Sequence, residues 1–507
     1  MDIKELMKSK EELEKIAEIM SEEIKKSKKP GETVVSRYFR VVQNSAGFYA
    51  GKKFPSVNTQ ANLNKETRFD SQGVYFNLTD FDDVFLYNFK ELTVARDLFP
   101  VRFQFYPKEI SLPLDSETFF EEIPNNVSMY DEEFRSFTEK FKNTKITRDL
   151  NIEQRIVVNS EGSVKIQSVP FFSLTFSSGY APVSTFRSFS VVCNSDDDLK
   201  RLTDMIKFIS DPTLDKRIQN AETFSEAFRE LYLISPLVYS SLEEAGIQLS
   251  EVYDPVMLSG TPVHEIFGHH FEEPIRFLNF GETGTFMFNQ NLRNKDLIMS
   301  DDPIKRIAGF RSRGFTYFDA YGRKRNARVH IKDGKVQEFL GSEYIDQKNL
   351  KQFLNLEKSE FVGNASQYLD GAFPQPRMSC TVLEGPSESV DLEGKILLVP
   401  NNGHTNEHDK TYMVQASECY VVKDGEPRRT IPLKVTGGIL QAMANIILLD
   451  DISYNVGVCG KPEPINFASS AHIPVSEYTK SQIWAGQQIK PSPISEPHLK
   501  ILKDKKS

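Results

Sequence analysis

Apolar residues recur at helical spacing near the beginning of the chain. Ile16, Met20 and Ile24 lie four residues apart within residues 11–28, and a Pro-Gly pair follows this segment. Residues four apart share one face of an α-helix, and proline or glycine commonly follows the last turn. The pattern predicts an amphipathic helix that packs on a sheet.

Strand patterns dominate the next segment, residues 33 to about 113, where valine and aromatic residues are frequent. Helical spacing returns in residues 199–209. Thr223 and Glu226 form a capping-box pattern, which predicts the start of another helix. We therefore predict an N-terminal α+β domain over residues 1–245.

The second half of the chain, residues 246–507, has short apolar stretches separated by turn residues. Asp333-Gly334 and Asp424-Gly425 are each flanked by strand-like residues, and an Asp-Gly pair favours a two-residue hairpin turn. The pattern predicts a mostly antiparallel, β-rich C-terminal domain. The predicted fold class is α+β, with a motif-bearing helix near the junction of the two domains.

The composition is that of an ordinary globular protein. Of the 507 residues, 39% are hydrophobic and 11% are aromatic, which excludes a disordered chain. The 71 acidic residues exceed the 62 basic residues and no stretch concentrates basic residues, so we expect no nucleic-acid partner. Residues 1–30 carry lysine and glutamate throughout, so we predict neither a signal peptide nor a membrane span and expect a cytoplasmic protein.

The residues most typical of a chemical site are three histidines and a glutamate in a run of nine residues. The run is Pro262-Val263-His264-Glu265-Ile266-Phe267-Gly268-His269-His270. His264 and His269 are five positions apart, which separates them by about 140° around a regular α-helix, whereas histidines four apart are separated by about 40°. A straight helix would therefore not direct both imidazoles at one metal ion.

A π-type turn would remove this conflict. Such a turn contains one extra residue and is common at functional sites, and Gly268 would ease the close packing or bend that it needs. His264 and His269 could then share a metal ion, with Glu265 beside them as a general base. The spacing alone leaves the alternative open, because exposed His and Glu pairs on helices are common.

His264-Glu265-Ile-Phe-Gly-His269 is similar to the His-Glu-x-x-x-His signature of the TldD/PmbA metallopeptidase family. Three further segments resemble family motifs in the same order: Pro374-Gln-Pro-Arg377-Met378-Ser, Tyr412-Met-Val-Gln-Ala-Ser417-Glu418-Cys-Tyr and Gly457-Val458-Cys459-Gly460-Lys461. The resemblance extends over about residues 253–475, and before it only the general organisation matches.

The resemblance implies a zinc-dependent peptidase of the TldD branch, which keeps the catalytic motif. In the family the third metal ligand is the cysteine of the last segment, here Cys459. A catalytic zinc usually has three protein ligands, and a thiolate is a soft ligand that suits zinc. His264, His269 and Cys459 would then hold Zn²⁺, and Glu265 would take a proton from the attacking water. Most free cysteines, in contrast, are small buried hydrophobic residues.

Several residues near these motifs have two interpretations. Arg377 is a candidate for positioning the substrate, although surface and structural arginines are more common. His270 points about 100° away from His269 on a helix, which favours a supporting or core position over a ligand. Glu272 and Glu273 either orient or replace a ligand histidine, or they form a solvated acidic helix end.

The other cysteines and histidines are weaker candidates. Cys193, Cys380 and Cys419 lie in apolar, strand-like contexts without a Cys-x-x-Cys pair, which predicts core thiols. Residues 401–409 carry His404 and His408 where family members generally have a glycine-rich stretch. This segment is either a polar loop that lines the cleft or a surface loop, and its histidines are alternative ligands if Cys459 does not bind the metal.

The family assembles as dimers whose active site lies inside a cavity, formed by a catalytic and a noncatalytic subunit or by two identical subunits. The resemblance therefore implies a homodimer or a heterodimer that acts on short or unfolded peptides. An extended peptide would bind by adding a strand to a sheet edge, which recognises backbone more than side chains. Two other functions stay open: a zinc amidohydrolase acting on a small nonpeptide amide, and a noncatalytic scaffold or modulator that keeps a structural metal.

Overall fold

A computed structural model describes the greater part of the chain. The described residues are 3–70, 73–78, 112–180, 183–209, 217–248, 256–257, 261–272, 295–341, 362–366, 374–406, 411–449, 453–462, 470–479, 483–484 and 492–493.

The first sheet has seven strands, all from the first half of the chain. The central order is β3-β2-β1-β5-β6, and β4 and β7 pair with different parts of β6. All neighbours are antiparallel except β4 and β6. The strands are β1 (Thr33–Tyr49), β2 (Lys52–Asp70), β3 (Gly73–Leu78), β4 (Glu117–Phe120), β5 (Thr144–Asn159), β6 (Val164–Tyr180) and β7 (Val183–Val192).

Two helices at the beginning of the chain, α1 (Ile3–Leu6) and α2 (Lys10–Ser27), pack on this sheet. The predicted amphipathic helix is confirmed as α2. Ser9 and Glu12 close its first turn as a capping box, in which the Glu12 N–H donates to Ser9 Oγ and the Ser9 N–H donates to Glu12 Oε2. Its buried side chains pack against even-numbered residues of β1, β5 and β6: Leu13, Ala17, Met20 and Ile24 against Val34, Ile156, Val158 and Ile166.

Further helices cover the same face farther along the strands, because the residues of β1, β5 and β6 that they contact are also even-numbered, and the contacted β7 residues Val191 and Phe189 pair with Phe172 and Leu174 of that face. These helices are α3 (Asp131–Lys140), α4 (Asp196–Arg201), α5 (Ile206–Ile209) and α6 (Phe224–Ile234). The Glu226 N–H donates to Thr223 Oγ1 over 3.2 Å, which confirms the predicted capping box at the start of α6. The helix predicted over residues 199–209 is interrupted by a 3₁₀ turn at Leu202–Met205.

The opposite face of the sheet contacts the second half of the chain through buried polar residues. Arg313 Nη2 lies 2.5 Å from Glu153 Oε1, and the Tyr317 N–H donates to Gln167 Oε1 over 3.1 Å. On the helix-covered side, Ile307, Phe310 and Tyr454 join the core that contains α6. The two halves therefore share buried contacts, and the domain boundary near residue 245 stays a prediction.

The second half contains two larger sheets and several short strand pairs. The six-stranded sheet has the order β13-β12-β9-β16-β23-β22, and the eight-stranded sheet has the order β21-β24-β8-β17-β18-β20-β25 with β19 on β18. The strands are β8 (Val256–Met257), β9 (Ile298–Asp301), β10 (Arg306–Ile307), β11 (Phe310–Arg311), β12 (Arg328–Lys332), β13 (Lys335–Val336), β14 (Ala365–Ser366), β15 (Gln375–Pro376), β16 (Cys380–Glu384), β17 (Ile396–Asn406), β18 (Thr411–Lys423), β19 (Glu426–Thr430), β20 (Leu433–Gly438), β21 (Ile447–Leu448), β22 (Ser453–Pro462), β23 (Ser470–Thr479), β24 (Ile483–Trp484) and β25 (Ser492–Pro493).

Most strand pairs in these two sheets are antiparallel, as predicted; β8 with β17 and β16 with β23 are the parallel pairs in the described residues. Both predicted hairpins are confirmed. Asp333 and Gly334 connect β12 and β13 with φ values of 54° and 70°, and Asp424 and Gly425 connect β18 and β19 with 57° and 75°. Two successive left-handed residues are the requirement of the turn that Asp-Gly pairs favour.

The helix that carries the histidines lies between these two sheets. It consists of α7 (Thr261–Val263), a π-helical turn (His264–Gly268) and α8 (His269–Phe271), together called the motif helix; a further helix, α9 (Ile439–Asn445), follows β20. The buried side chains of the motif helix belong to one core with residues of both sheets: Val263, Ile266, Phe267 and Phe271 with Met299, Leu383, Leu398 and Val414. The fold thus holds the motif helix between two rigid layers.

Among the described residues, no helix is both long enough and apolar enough to cross a membrane.

We predict that His330, which stacks on Phe271 of the motif helix, destabilises the protein at low pH. Burial lowers the pKa of His330 to about 4, whereas an unfolded histidine titrates near 6.5. Between these values the unfolded chain binds a proton that the folded chain does not, so stability falls as the pH falls. His330→Gln keeps a donor for the Glu338 carbonyl oxygen, which lies 2.9 Å from His330 Nδ1, and removes the titration.

The measurement is the free energy of urea unfolding at pH 7.5 and 5.0. The parent should lose about 2 kcal/mol more than His330→Gln over this interval. His404→Gln, at an exposed histidine, is the matched control and should behave like the parent. Equal losses in the parent and in His330→Gln would contradict the prediction.

Candidate metal centre

The π-helical turn predicted from the histidine spacing is present. His264–Gly268 form a π-helical turn, in which the His269 N–H donates to the His264 carbonyl oxygen five residues earlier. The extra residue brings the imidazoles of His264 and His269 together, with ring centroids 4.6 Å apart and planes at 79°. The two histidines can therefore face one ion, which a regular helix would not allow.

Gly268 is required by the packing of this turn. A Cβ atom on Gly268 would lie 2.1 Å from Met378 Sδ, which is far inside van der Waals contact. Met378 follows Arg377 in one of the segments that resemble family motifs, and Thr381 Oγ1 lies 3.1 Å from its sulfur. The absence of a side chain at Gly268 thus lets the segment around Met378 lie directly against the π-helical turn.

Cys459, on strand β22, completes a group of three metal-binding side chains. The ligand atoms of His264, His269 and Cys459 all lie within 4.8 Å of one another, and Cys459 Sγ is 3.6 Å from His269 Nε2. In tetrahedral zinc sites nitrogen and sulfur ligands lie about 2.1 and 2.3 Å from the ion, so two such atoms are about 3.6 Å apart. The donor set and its spacing therefore fit a zinc ion without rearrangement of this pair.

The charges around the three ligands favour a thiolate. Burial raises the pKa of the Cys459 thiol, but the positive charges of Arg377, His264 and His269 outweigh burial and hold this pKa well below its usual value. Burial lowers the pKa of His269, but the negative charge of Cys459 and the hydrogen bonds to Cys459 and Glu272 raise it to about 9. The thiolate therefore attracts positive charge into the site, and a bound cation could take the place of the His269 proton.

A buried ion pair between Glu272 and Arg377 contacts two of the candidate ligand residues, His269 and Cys459. Glu272 Oε2 lies 3.2 Å from His269 Nδ1, and Arg377 Nε lies 2.9 Å from Glu272 Oε1. Arg377 Nη2 also donates to the Cys459 carbonyl oxygen over 3.1 Å. Carboxylates that accept from the second nitrogen of a ligand histidine fix its ring orientation and tautomer. Glu272 and Arg377 thus connect His269 on the motif helix with Cys459 on β22.

These contacts show the structural roles of Glu272 and Arg377, which the sequence left open. The expectation of a solvated helix end is wrong for Glu272, which is 0% exposed and orients His269, and Glu273 lies outside the described residues. Arg377 is also 0% exposed and holds Glu272 and the backbone of Cys459. Its contact with a substrate stays a prediction.

Glu265 lies beside the ligands in a position suited to proton transfer. The residue is 6% exposed, and Oε2 is 4.0 Å from His269 Nε2. Thr405 Oγ1 lies 2.8 Å from the same carboxylate oxygen. Gly403 packs directly against this side chain, because a Cβ on Gly403 would be 2.5 Å from Glu265 Cγ.

The sequence did not single out Gly403 and Thr405, which belong to a segment interpreted as a cleft-lining or surface loop. Residues 401–406 are instead the end of strand β17, and part of this strand lines the site. His404, between Gly403 and Thr405, is exposed and does not belong to the group of three ligands. His408 lies outside the described residues. Successive side chains of a β-strand point to opposite faces of the sheet. A strand prediction for this segment would therefore have placed Gly403 and Thr405 on one face and His404 on the other.

The remaining cysteines and His270 are not ligands in this arrangement. Cys193, Cys380 and Cys419 are fully buried, and burial raises the pKa of Cys419 to about 12, which suits the predicted core thiols. His270 is fully buried but does not join the group of His264, His269 and Cys459.

Comparisons with known proteins agree with this fold. Residues 250–472 match the family model described as "PmbA/TldA metallopeptidase C-terminal domain". No curated protein matches the sequence. The family match agrees with the resemblance of residues 253–475, whereas the assignment to the TldD branch stays a prediction.

Three solved structures have a similar fold over nearly their whole length. TldE from Thermococcus kodakarensis is 14% identical with a TM-score of 0.54, over 95% of this chain and 99% of that chain. Two proteins described as candidate modulators of DNA gyrase come from Thermotoga maritima (13% identity, TM-score 0.55, 95% and 100% coverage) and Bacteroides thetaiotaomicron (11%, 0.57, 96% and 100%). At these identities the likeness shows a shared fold.

The neighbouring histidines His269 and His270 provide a matched test of the ligand register. We predict that His269→Ala loses stoichiometric zinc, because it removes one of the three ligands. His270→Ala should keep zinc and lower the melting temperature, because it leaves a cavity in a buried region. The measurement is zinc content after dialysis, with circular dichroism to confirm folding. If His270→Ala is folded but lacks zinc while His269→Ala retains zinc, the second histidine ligand would instead be His270, one residue later.

Proposed function

The chain belongs to the PmbA/TldD family through its C-terminal domain, and we propose that it is a zinc-dependent peptidase that hydrolyses short or unfolded peptides. The observation that carries this proposal is the position of Glu265 beside three convergent ligands. A structural metal site needs no general base, whereas a hydrolytic site does.

Two imidazoles and a thiolate favour zinc over magnesium or calcium, which prefer oxygen ligands. Three protein ligands also leave one of four coordination positions open, as in catalytic zinc sites. When bound, zinc would supply the Lewis acidity that activates water and polarises the carbonyl group under attack.

Side chains of the protein would transfer the proton and position the candidate ligands. Glu265 would accept the proton of the attacking water at a carboxylate oxygen and deliver it to the amine that leaves. Glu272 would hold His269 in the orientation that directs Nε2 at the ion. Arg377 would keep both Glu272 and the Cys459 backbone in place through its buried contacts.

The substrate proposal follows from the burial of the centre. His264, Glu265, His269 and Cys459 are all nearly buried, so a scissile bond could reach them only in an extended segment of chain. Pairing with a sheet edge would bind such a segment through its backbone. A homodimer, or a heterodimer with a noncatalytic family member, would enclose the centre further and belongs to the same proposal.

Two alternatives have different tests. A zinc amidohydrolase would cleave acylated small molecules in preference to peptides in a mixed substrate panel. The gyrase-modulator descriptions of two structural relatives suggest a noncatalytic role, which would not need Glu265. Among the described residues no fourth His, Cys, Asp or Glu joins the group of three, and this supports an open coordination position over a structural site.

We predict that Glu265→Gln keeps zinc and loses peptide cleavage, because amide and carboxylate have nearly the same shape but only the carboxylate accepts a proton. General base assistance is typically worth about 10² to 10⁴ in rate. Cys459→Ser is the complementary variant and should lose zinc while staying folded. The measurements are zinc content and turnover of unstructured peptides. Undiminished turnover by Glu265→Gln would remove Glu265 from the mechanism, and zinc retained by Cys459→Ser would remove Cys459 from the ligands.

We also predict cleavage of short or unstructured peptides and little action on stable folded proteins. Unfolding a domain typically costs about 5 to 15 kcal/mol, which lowers the cleavable population by several orders of magnitude. The same sequence should be presented as a free peptide and as an ordered, exposed loop of a rigid host protein. Equal cleavage rates would contradict an enclosed site and favour an open cleft.

A further inference from the structure

The π-helical turn changes the backbone hydrogen bonding at Glu265. In a regular α-helix the N–H of His269 would donate to the carbonyl oxygen of Glu265, four residues earlier. Here that N–H donates to the carbonyl oxygen of His264. The Glu265 carbonyl therefore loses its usual donor inside a buried region, where an unsatisfied carbonyl is destabilising.

Thr405 supplies a donor at this position from outside the helix. Its Oγ1 lies 2.7 Å from the Glu265 carbonyl oxygen and 2.8 Å from Glu265 Oε2. A hydroxyl carries one hydrogen, so Thr405 donates to one of these oxygens at a time. Both acceptors belong to the residue that follows the first ligand histidine, so one side chain contacts the backbone and the carboxylate of Glu265.

Gly403 provides the space in which this carboxylate lies. A Cβ on Gly403 would approach Glu265 Cγ to 2.5 Å and Oε1 to 2.8 Å. Any larger residue would therefore displace the Glu265 side chain, whereas the contact of Thr405 with the Glu265 backbone carbonyl does not involve that side chain. Thr405 contacts both the π-helical turn and the Glu265 carboxylate, whereas Gly403 affects the carboxylate alone. Substitutions at the two positions should therefore have different effects.

The strand that carries both residues is well fixed. Gly403 and Thr405 are paired with Val414 and Tyr412 of β18, both of which are buried in the core. Thr261 Oγ1 also donates to the Pro400 carbonyl oxygen over 3.3 Å, which joins the start of the motif helix to the same strand. Strand β17 is thus a rigid support that contacts the motif helix at its start and at the π-helical turn.

We propose that Thr405 and Gly403 are positioning residues of the metal centre. The Thr405 hydroxyl replaces the His269 N–H, which in the π-helical turn no longer donates to the Glu265 carbonyl oxygen. This contact maintains the register of His264 and His269. The same hydroxyl holds the Glu265 carboxylate beside the candidate ligands. Gly403 leaves room for that carboxylate. The effect on turnover rests on the proposed peptidase function, whereas the effect on the turn and on metal affinity does not depend on peptide cleavage.

The experiment compares four variants of the full chain. Thr405→Val has nearly the same shape without the hydroxyl, Thr405→Ser keeps the hydroxyl, and Gly403→Ala crowds the carboxylate. Thr436→Val, at an exposed position of β20 in the same sheet, is the matched control. The readouts are zinc affinity by chelator competition, amide hydrogen exchange of residues 264–270 in zinc-free protein, and turnover of an unstructured peptide.

We expect Thr405→Val to lower zinc affinity and turnover by about 10- to 100-fold each, the range for residues that orient ligands. Exchange in residues 264–270 should accelerate, and Thr405→Ser should restore most of each property. Gly403→Ala should lower turnover with little change in zinc affinity. At saturating zinc, Thr405→Val should lower turnover less in a Glu265→Gln background than in the parent, because part of its effect on the reaction would act through the missing carboxylate.

Three results would overturn the proposal. Thr405→Val could match Thr436→Val in affinity and exchange, Thr405→Ser could be as impaired as Thr405→Val, or the loss of turnover at saturating zinc could be equal with and without Glu265→Gln. A parent protein that binds zinc but cleaves no peptide would reject the proposed function instead. Zinc affinity and hydrogen exchange would still decide whether Thr405 supports the π-helical turn.

Discussion

The candidate metal centre depends on one extra residue in one helical turn. Because His264 and His269 are five positions apart, their imidazoles converge only when the His269 N–H bonds to the His264 carbonyl instead of the Glu265 carbonyl. This change has two consequences in the surrounding structure. Gly268 must lack a side chain so that Met378 can pack on the turn, and the Glu265 carbonyl must find a donor, which Thr405 provides.

A buried ion pair connects Cys459, the third candidate ligand, with the π-helical turn. Cys459 is 190 positions from His269, and no local pattern brings the two together. Arg377 binds the Glu272 carboxylate, which contacts His269, and also binds the Cys459 carbonyl. Buried ion pairs gain little net stability, but the loss of one partner leaves an uncompensated charge. The Arg377–Glu272 pair therefore serves mainly to fix the geometry of ligands that come from distant segments.

The charge balance of the centre follows from the same contacts. The Cys459 thiolate is held by positive charge from Arg377 and from the imidazoles, although burial alone would favour the neutral thiol. Low-pKa cysteines of this kind are reactive or bind metals, whereas the neutral buried thiols of Cys193 and Cys419 serve as core residues. Buried cysteines thus differ in chemistry, because at Cys459 the surrounding positive charges outweigh burial, whereas at Cys193 and Cys419 burial dominates.

The sequence by itself determined the features that depend on local spacing. The i+4 repeat in α2, the capping box at Thr223, both Asp-Gly hairpins and the need for a π-type turn at His264 follow from backbone geometry within a few residues. Burial of Glu272, the support of His269 by Glu272 and Arg377, and the contacts of Gly403 and Thr405 with Glu265 depended on the tertiary structure. Glu272 is only three residues from His269, but Arg377 is 105 residues from Glu272 and Thr405 is 140 residues from Glu265, and only the packing of the motif helix between two sheets brings these segments into contact.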